Sequence, residues 1–83
     1  MDFELDYPVQ WDGKEVSKIT FRRPKGKEIK RIKGTTLGDL MQLAPVISDY
    51  SESFYDDLDA ADYVAISEVI SDFLERGRKT GKN

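Results

Sequence analysis

The sequence predicts an α+β fold in which an N-terminal antiparallel β-hairpin packs against a small bundle of about three helices. Every second residue is apolar from Phe3 to Trp11, a period typical of a half-buried strand. Apolar residues recur at helical spacing later in the chain, most clearly between Tyr63 and Leu74. Because the strands precede the helices, we expect the helices to cover one face of a small sheet, in a single domain of 83 residues.

The hairpin begins with a strand near residues 3–10, which Pro8 confines to an edge or interrupts because proline has no N–H to donate. The dipeptide Asp12-Gly13 is a strong turn signal. The second strand is expected near residues 16–23, where Pro24 ends it.

The register of this hairpin requires an irregularity. A two-residue turn pairs Val9 with Val16, and a regular ladder from there would place the apolar residues of the two strands on opposite faces. We therefore expect a bulge after Val16, or a longer loop. Either one lets four apolar residues share the buried face: Leu5, Tyr7, Ile19 and Phe21.

Two helical pieces follow the hairpin. Ile29 and Ile32 have i, i+3 spacing within residues 25–33, which is enough for one or two turns. A helix near residues 36–48 is predicted from Thr36 as N-cap with Asp39 three residues later. Pro45 falls inside that helix, so we expect a kink or an early end near Ala44.

The last helix has the clearest pattern. A short acidic connector, Ser51 to Leu58, precedes it and is anchored by Phe54, Tyr55 and Leu58. Asp59 is the predicted N-cap of a helix near residues 60–76, with Asp62 in the first turn, where the helix dipole favours acids. We expect Gly77 to close this helix. The domain then spans residues 1–76, and residues 77–83 form a flexible basic tail.

Composition excludes several classes of function. The chain has no Cys and no His, so disulfides and thiolate zinc sites are absent and the commonest general base is missing. The acids from Asp56 to Asp62 lack the glycine of a calcium loop and fit helix capping. We therefore expect no metal, no cofactor and no enzymatic activity. Without a signal peptide or an apolar run of about 20 residues, the chain is expected to be cytoplasmic and not in a membrane.

Charge is sorted into blocks along the chain. The net charge is −4 over residues 1–15, +7 over 16–34, −10 over 35–75 and +4 over 76–83. Such polarity steers a charged partner or holds the two halves of the chain together. The basic run Arg22 to Lys33 has three interpretations: nucleic-acid binding, a solvated face partly paired with the acidic helices, or protein docking. A pI near 4.9 argues against nucleic acid.

The order of several segments resembles a known family. Tyr7-Pro8-Val9, Asp12-Gly13-Lys14-Glu15-Val16 and Ile19-Thr20-Phe21-Arg22-Arg23-Pro24 are similar to the start of the tail assembly chaperones of Mu-like, contractile-tailed phages and prophages. Leu58-Asp59-Ala60-Ala61-Asp62-Tyr63 and Val69-Ile70-Ser71-Asp72-Phe73-Leu74 extend the resemblance, which covers residues 3 to 76.

This resemblance implies a non-catalytic protein of the host cytoplasm that binds the tape measure protein and keeps it soluble until tail tube subunits polymerise around it. It also implies a longer form made by programmed frameshifting, contact with the tail tube protein, and absence from the mature virion. Self-association is left open. The alternatives are a nucleic-acid-binding regulator using residues 22–33 and a structural component that stays in the tail.

A client-binding surface is predicted from the residues themselves. An amphipathic helix needs an apolar groove with charges on its rim. We expect this groove between Pro45 and Leu58, where Val46 and three aromatic residues alternate with acids, beside a basic edge. The predicted partner-binding residues are Arg22, Arg23, Lys25, Tyr50, Phe54 and Tyr55. The alternative is that Phe54 and Tyr55 only seal the core.

Overall fold

Two strands and four helices follow one another in the computed structural model, which describes residues 1–30, 32, 34 and 36–82, without the side chains of 75–82. The elements are β1 (Asp2–Trp11), β2 (Lys14–Thr20), α1 (Gly26–Ile29), α2 (Leu37–Met41), α3 (Glu52–Asp56) and α4 (Ala60–Lys82). The strands form an antiparallel hairpin, and both β1 and α2 pack against α4. This arrangement confirms the predicted α+β class.

The hairpin turn is the one that the sequence predicts. Asp12 and Gly13 both have positive φ, 53° and 78°. Positive φ at both central residues defines a type I′ turn, whose twist matches that of the flanking strands. The two-residue turn pairs Trp11 with Lys14 and Val9 with Val16.

The predicted irregularity is present, but its extra residues lie in β1. Between the Val9–Val16 and Glu4–Lys18 pairs, residues 5–8 of β1 face only Ser17 of β2. This bulge interrupts the alternation of inward and outward side chains in β1. As a result, Leu5 is buried whereas Tyr7 is 56% exposed. The prediction that Tyr7 shares the buried face with Leu5, Ile19 and Phe21 is therefore wrong.

A buried carboxylate holds the bulge against α4. Asp62 is 1% exposed, and its two carboxylate oxygens accept hydrogen bonds from the backbone N–H groups of Asp6 and Tyr7, each at 3.0 Å. Asp59 caps the same helix as predicted, since its carboxylate accepts the N–H of Ala61 at 2.9 Å. Asp62 therefore connects sheet and helix, a role beyond the dipole effect inferred from the sequence.

β2 ends earlier than residue 23. The N–H of Phe21 still donates to the carbonyl of Met1 at 2.7 Å, but that of Arg22 donates to the carbonyl of Ile47 at 3.0 Å. The chain thus leaves the hairpin after Phe21 and pairs with the segment that follows α2.

α2 begins as predicted and ends sooner. The Thr36 hydroxyl accepts the N–H of Asp39 at 3.3 Å, and the Asp39 carboxylate accepts the N–H of Thr36, which completes a capping box. The helix ends at Met41, so the extent 36–48 is wrong, whereas the early end expected from Pro45 is present. Pro45 explains this end because its ring would clash with the Met41 carbonyl, which accepts from Ala44 at 3.2 Å instead.

The remaining helices also differ from expectation at their ends. The acidic connector contains the one-turn helix α3, and its three predicted anchors, Phe54, Tyr55 and Leu58, are buried. α4 continues through Gly77 to Lys82, so the predicted end at Gly77 is wrong. A glycine inside a helix costs only about 1 kcal/mol relative to alanine. The flexibility of residues 77–83 stays a prediction, and their side chains lie outside the described part.

The core lies between the hairpin, α4 and the segments that join them. Ile19 and Phe21 from the hairpin, Ile47 after α2, and Ile66 and Ile70 of α4 are each at most 1% exposed. Val64, which the sequence placed in the apolar stripe, is 44% exposed. The buried stripe of α4 is therefore narrower than its apolar pattern.

Candidate partner-binding surfaces

Arg22, the first residue of the predicted basic edge, is exposed, but its guanidinium is paired within the chain. Its guanidinium forms a two-pronged ion pair with Glu28 and donates to the carbonyl of Val46 at 3.1 Å. The hydrogen bonds from Arg22, with one from the Lys25 backbone N–H, lower the pKa of Glu28 to about 2. Arg22 thus fastens α1 to the segment after α2.

Arg23 and Lys25 remain on the surface. The guanidinium of Arg23 lies 5.7 Å from the ring centroid of Phe73 on α4, a cation–π contact. The backbone N–H of Lys25 donates to Glu28 at 2.7 Å, and its side chain is exposed. Arg31 and Lys33, which complete the predicted basic run, lie outside the described residues.

The three predicted aromatic contacts form one cluster. The Tyr50 ring stacks on Phe54 at 4.2 Å between centroids, and Phe54 meets Trp11 and Tyr55 edge-on at 5.5 and 5.3 Å. The Tyr55 hydroxyl lies 2.5 Å from the Ser48 hydroxyl. Burial raises the pKa of Tyr55 to about 12, although the hydrogen bond with Ser48 acts in the opposite direction.

The burial of this cluster favours packing as its main role. Phe54 is 0% and Tyr55 is 3% exposed, whereas Tyr50 and Val46 are half-buried at the edge. This is the alternative that the sequence left open for Phe54 and Tyr55. Partner binding by the six predicted residues stays a prediction.

A shallow groove does lie beside the predicted segment. We call it the α2–α3 groove; its volume is about 390 Å³, and it is lined by Gly38, Met41, Gln42, Pro45, Glu52, Tyr55, Asp56 and Tyr63. Its floor is well covered, since Met41 is 5% and Tyr55 is 3% exposed. Glu52 and Asp56 are exposed and make this groove acidic.

A second groove runs between the start of β1 and α4. This β1–α4 groove has a volume of about 440 Å³ and is lined by Met1, Phe3, Ala65, Glu68, Val69, Asp72 and Phe73. The sequence assigned the α4 members Val69 and Phe73 to the core. The sequence signal that could have placed them at a surface is the width of the apolar stripe of α4, which is more than one small sheet can cover.

A family model matches most of the chain. The model describes phage tail assembly chaperone proteins, E, or 41 or 14, and matches residues 2–75. The chain belongs to this family. No curated protein and no solved structure matches it significantly.

The charges of the chaperone are arranged in separate areas. Two ion pairs of its basic segment, Lys18 with Asp2 and Arg22 with Glu28, use acids outside the acidic helices. Lys25, Lys27 and Lys30 are exposed around α1. Glu52 and Asp56 of α3 line the α2–α3 groove, and Glu68 and Asp72 of α4 line the β1–α4 groove, so a partner meets negative charge there.

Metal-binding and membrane-spanning features are absent from the described part of the chaperone. Its residues contain no group of three or more acidic side chains placed to hold a metal ion. None of its described helices is long and apolar enough to cross a membrane.

Proposed function

We propose that this chaperone binds the tape measure protein and keeps it soluble until tail tube subunits polymerise around it. The observation that carries the proposal is the family match over residues 2–75. The apolar β1–α4 groove with its charged rim supports it, because a long helical client exposes apolar stripes before assembly.

The chaperone acts by binding alone in this proposal, within the cytoplasm of the bacterial host. It leaves the tail before completion and works together with a longer, frameshifted form of itself and with the tail tube protein. A structural component would instead stay in the particle.

Coexpression with the tape measure protein of the same tail gene cluster tests this function. We expect the tape measure protein to move into the soluble fraction and to co-purify with the chaperone. If it is equally insoluble with and without the chaperone, the proposal fails. Mass spectrometry of purified virions should find no chaperone, whereas its presence at a fixed ratio to tail tube subunits indicates a structural component.

Among the predicted contacts, Arg23 and Lys25 are the exposed cations that we retain at the rim. Arg23→Glu should weaken capture of the tape measure protein without unfolding the chaperone. Lys14→Glu is the matched control, because Lys14 is exposed beside the hairpin turn. Equal capture by the two folded variants would remove Arg23 from the client surface. Tyr55→Ala is unsuitable for this test, because Tyr55 is buried and its replacement would disturb the core.

Nucleic-acid binding is the second candidate, and the exposed Lys25, Lys27 and Lys30 favour it. The buried aromatic cluster argues against it, because bases need exposed rings on which to stack. Salt-dependent nanomolar binding of DNA or RNA, lost in a Lys27→Glu/Lys30→Glu variant, would support this function over the first.

A further inference from the structure

The β1–α4 groove leaves more of its apolar side chains exposed than the α2–α3 groove does. Met1 is 56% exposed, and Phe3, Val69 and Phe73 are half-buried. Contiguous apolar surface that stays open to water in a folded domain indicates an interaction site.

The α4 side of this groove has two parallel rows of side chains. Ala65, Val69 and Phe73 follow one another at intervals of four residues and form an apolar row. Glu68 and Asp72 have the same interval and form an acidic row beside it. Residues four apart lie on the same helix face, so each row runs along the helix axis.

We propose that the β1–α4 groove binds an amphipathic helix that carries Lys or Arg along one flank of its apolar stripe. The apolar stripe packs between Phe3 and the Val69–Phe73 row, and the basic flank lies against Glu68 and Asp72. This inference rests on the proposed function, in which the helix is a segment of the client.

Charge complementarity selects this occupant. The rim along α4 is acidic, so an acidic flank on the client would be repelled, while a basic flank is attracted and set in register. Arg23 lies over Phe73 at one end of the apolar row and gives that end the opposite sign. The groove therefore distinguishes the two directions in which a helix can lie.

A pair of synthetic helices tests the charge preference directly. Both peptides have Leu on the apolar face. Beside that face the Leu/Lys peptide has Lys, and the Leu/Glu peptide has Glu. Binding of each fluorescent peptide to the full chain is measured by anisotropy. We expect saturable binding of the Leu/Lys peptide, weakened by salt, and at least about tenfold weaker binding of the Leu/Glu peptide. Equal binding of the two peptides would overturn the proposal.

Variants of α4 locate the site. Val69→Glu should weaken binding of the Leu/Lys peptide at least about tenfold. Glu68→Lys should weaken the same binding about two- to fivefold. Val64→Glu is the matched control, since Val64 is 44% exposed on the same helix and does not line the groove. Melting curves show which variants are folded. If Val69→Glu does not fold, Glu68→Lys still tests the groove, because Glu68 is exposed. Wild-type affinity in folded Glu68→Lys and Val69→Glu would contradict the proposal.

The tape measure protein separates this inference from the proposed function. If the wild type captures it and folded Val69→Glu captures it equally well, the groove assignment fails and the function stands. If the wild type captures no tape measure protein, the function fails while the peptide result still decides the groove. Concentration-dependent dimers that Val69→Glu abolishes, without peptide binding, would assign the groove to a second copy of the chain and overturn the inference.

Discussion

Replacing Asp62 should weaken the contact between the hairpin and α4, because Asp62 hydrogen-bonds across it. Its carboxylate is 1% exposed and accepts the backbone N–H groups of Asp6 and Tyr7 at 3.0 Å each. Asp62→Ala removes both acceptors and leaves two donors of the bulge without their partner. Asp62→Asn keeps one acceptor but turns an amide NH₂ toward the other N–H.

The expected loss follows from these two bonds. A hydrogen bond to a charged group contributes about 1.5–3 kcal/mol. Asp6 and Tyr7 are exposed residues, so water replaces part of what is lost. We expect Asp62→Ala to lower the free energy of unfolding by about 2–4 kcal/mol and Asp62→Asn by about 1–2 kcal/mol. For a domain of this size, 1 kcal/mol corresponds to about 4–8 °C in Tm.

Urea unfolding followed by Trp11 fluorescence measures these losses. Trp11 is the single tryptophan of the chain, and its ring lies edge-on to Phe54 in the core, so unfolding changes its surroundings. Asp59→Asn is the matched control: it makes the same chemical change three residues earlier, at an exposed N-cap where Asn and Asp are nearly equivalent. Equal loss in Asp59→Asn and Asp62→Asn, or wild-type stability of Asp62→Ala, would refute this account of the bulge.

Three further predictions concern stability. The pKa of Glu28 is lowered to about 2, so its pairing with Arg22 stabilises the fold above pH 4.5 and this stabilisation is lost as pH falls toward 2. In acid titration, the free energies of unfolding of wild type and Glu28→Gln should therefore converge between pH 4.5 and 2. The pKa of Tyr55 is raised to about 12, so wild type should lose stability between pH 10 and 12 that Tyr55→Phe retains in alkaline urea melts. Ile70→Ala removes a fully buried side chain and should cost about 2–5 kcal/mol in urea unfolding; a loss below 1 kcal/mol would contradict its core position.

Features set by neighbouring residues were predictable from the sequence. The type I′ turn depends on Asp12-Gly13, and the helix starts depend on Thr36 and Asp59, each acting within three residues along the chain. The bulge of β1 could be expected but not placed. Its position depends on Asp62, 56 residues from Asp6, and no local pattern contains that contact.

For the candidate surfaces as well, the sequence gives the residue pattern, whereas distant contacts decide which residues are buried. Aromatic residues between acids in the segment 45–58 have the same pattern whether they face a partner or the core. The outcome depends on Trp11, which lies opposite Phe54 only after the hairpin has folded. Likewise, the apolar stripe of α4 is wider than the part that the core buries: Ile66 and Ile70 are fully buried, whereas Val69 and Phe73 are half-buried at the edge.

The separation of charge along the chain fits the proposed function, in which the chaperone holds a client and then releases it. Exposed ion pairs contribute little affinity, about 0–1 kcal/mol each, but they raise association rates and fix orientation. In that proposal, apolar contacts in the β1–α4 groove supply most of the affinity. They are limited by how little apolar surface a chain of 83 residues can leave uncovered. Many such weak contacts along a long client would keep it soluble, yet each could be displaced by tail tube subunits that cover the same stripe more completely.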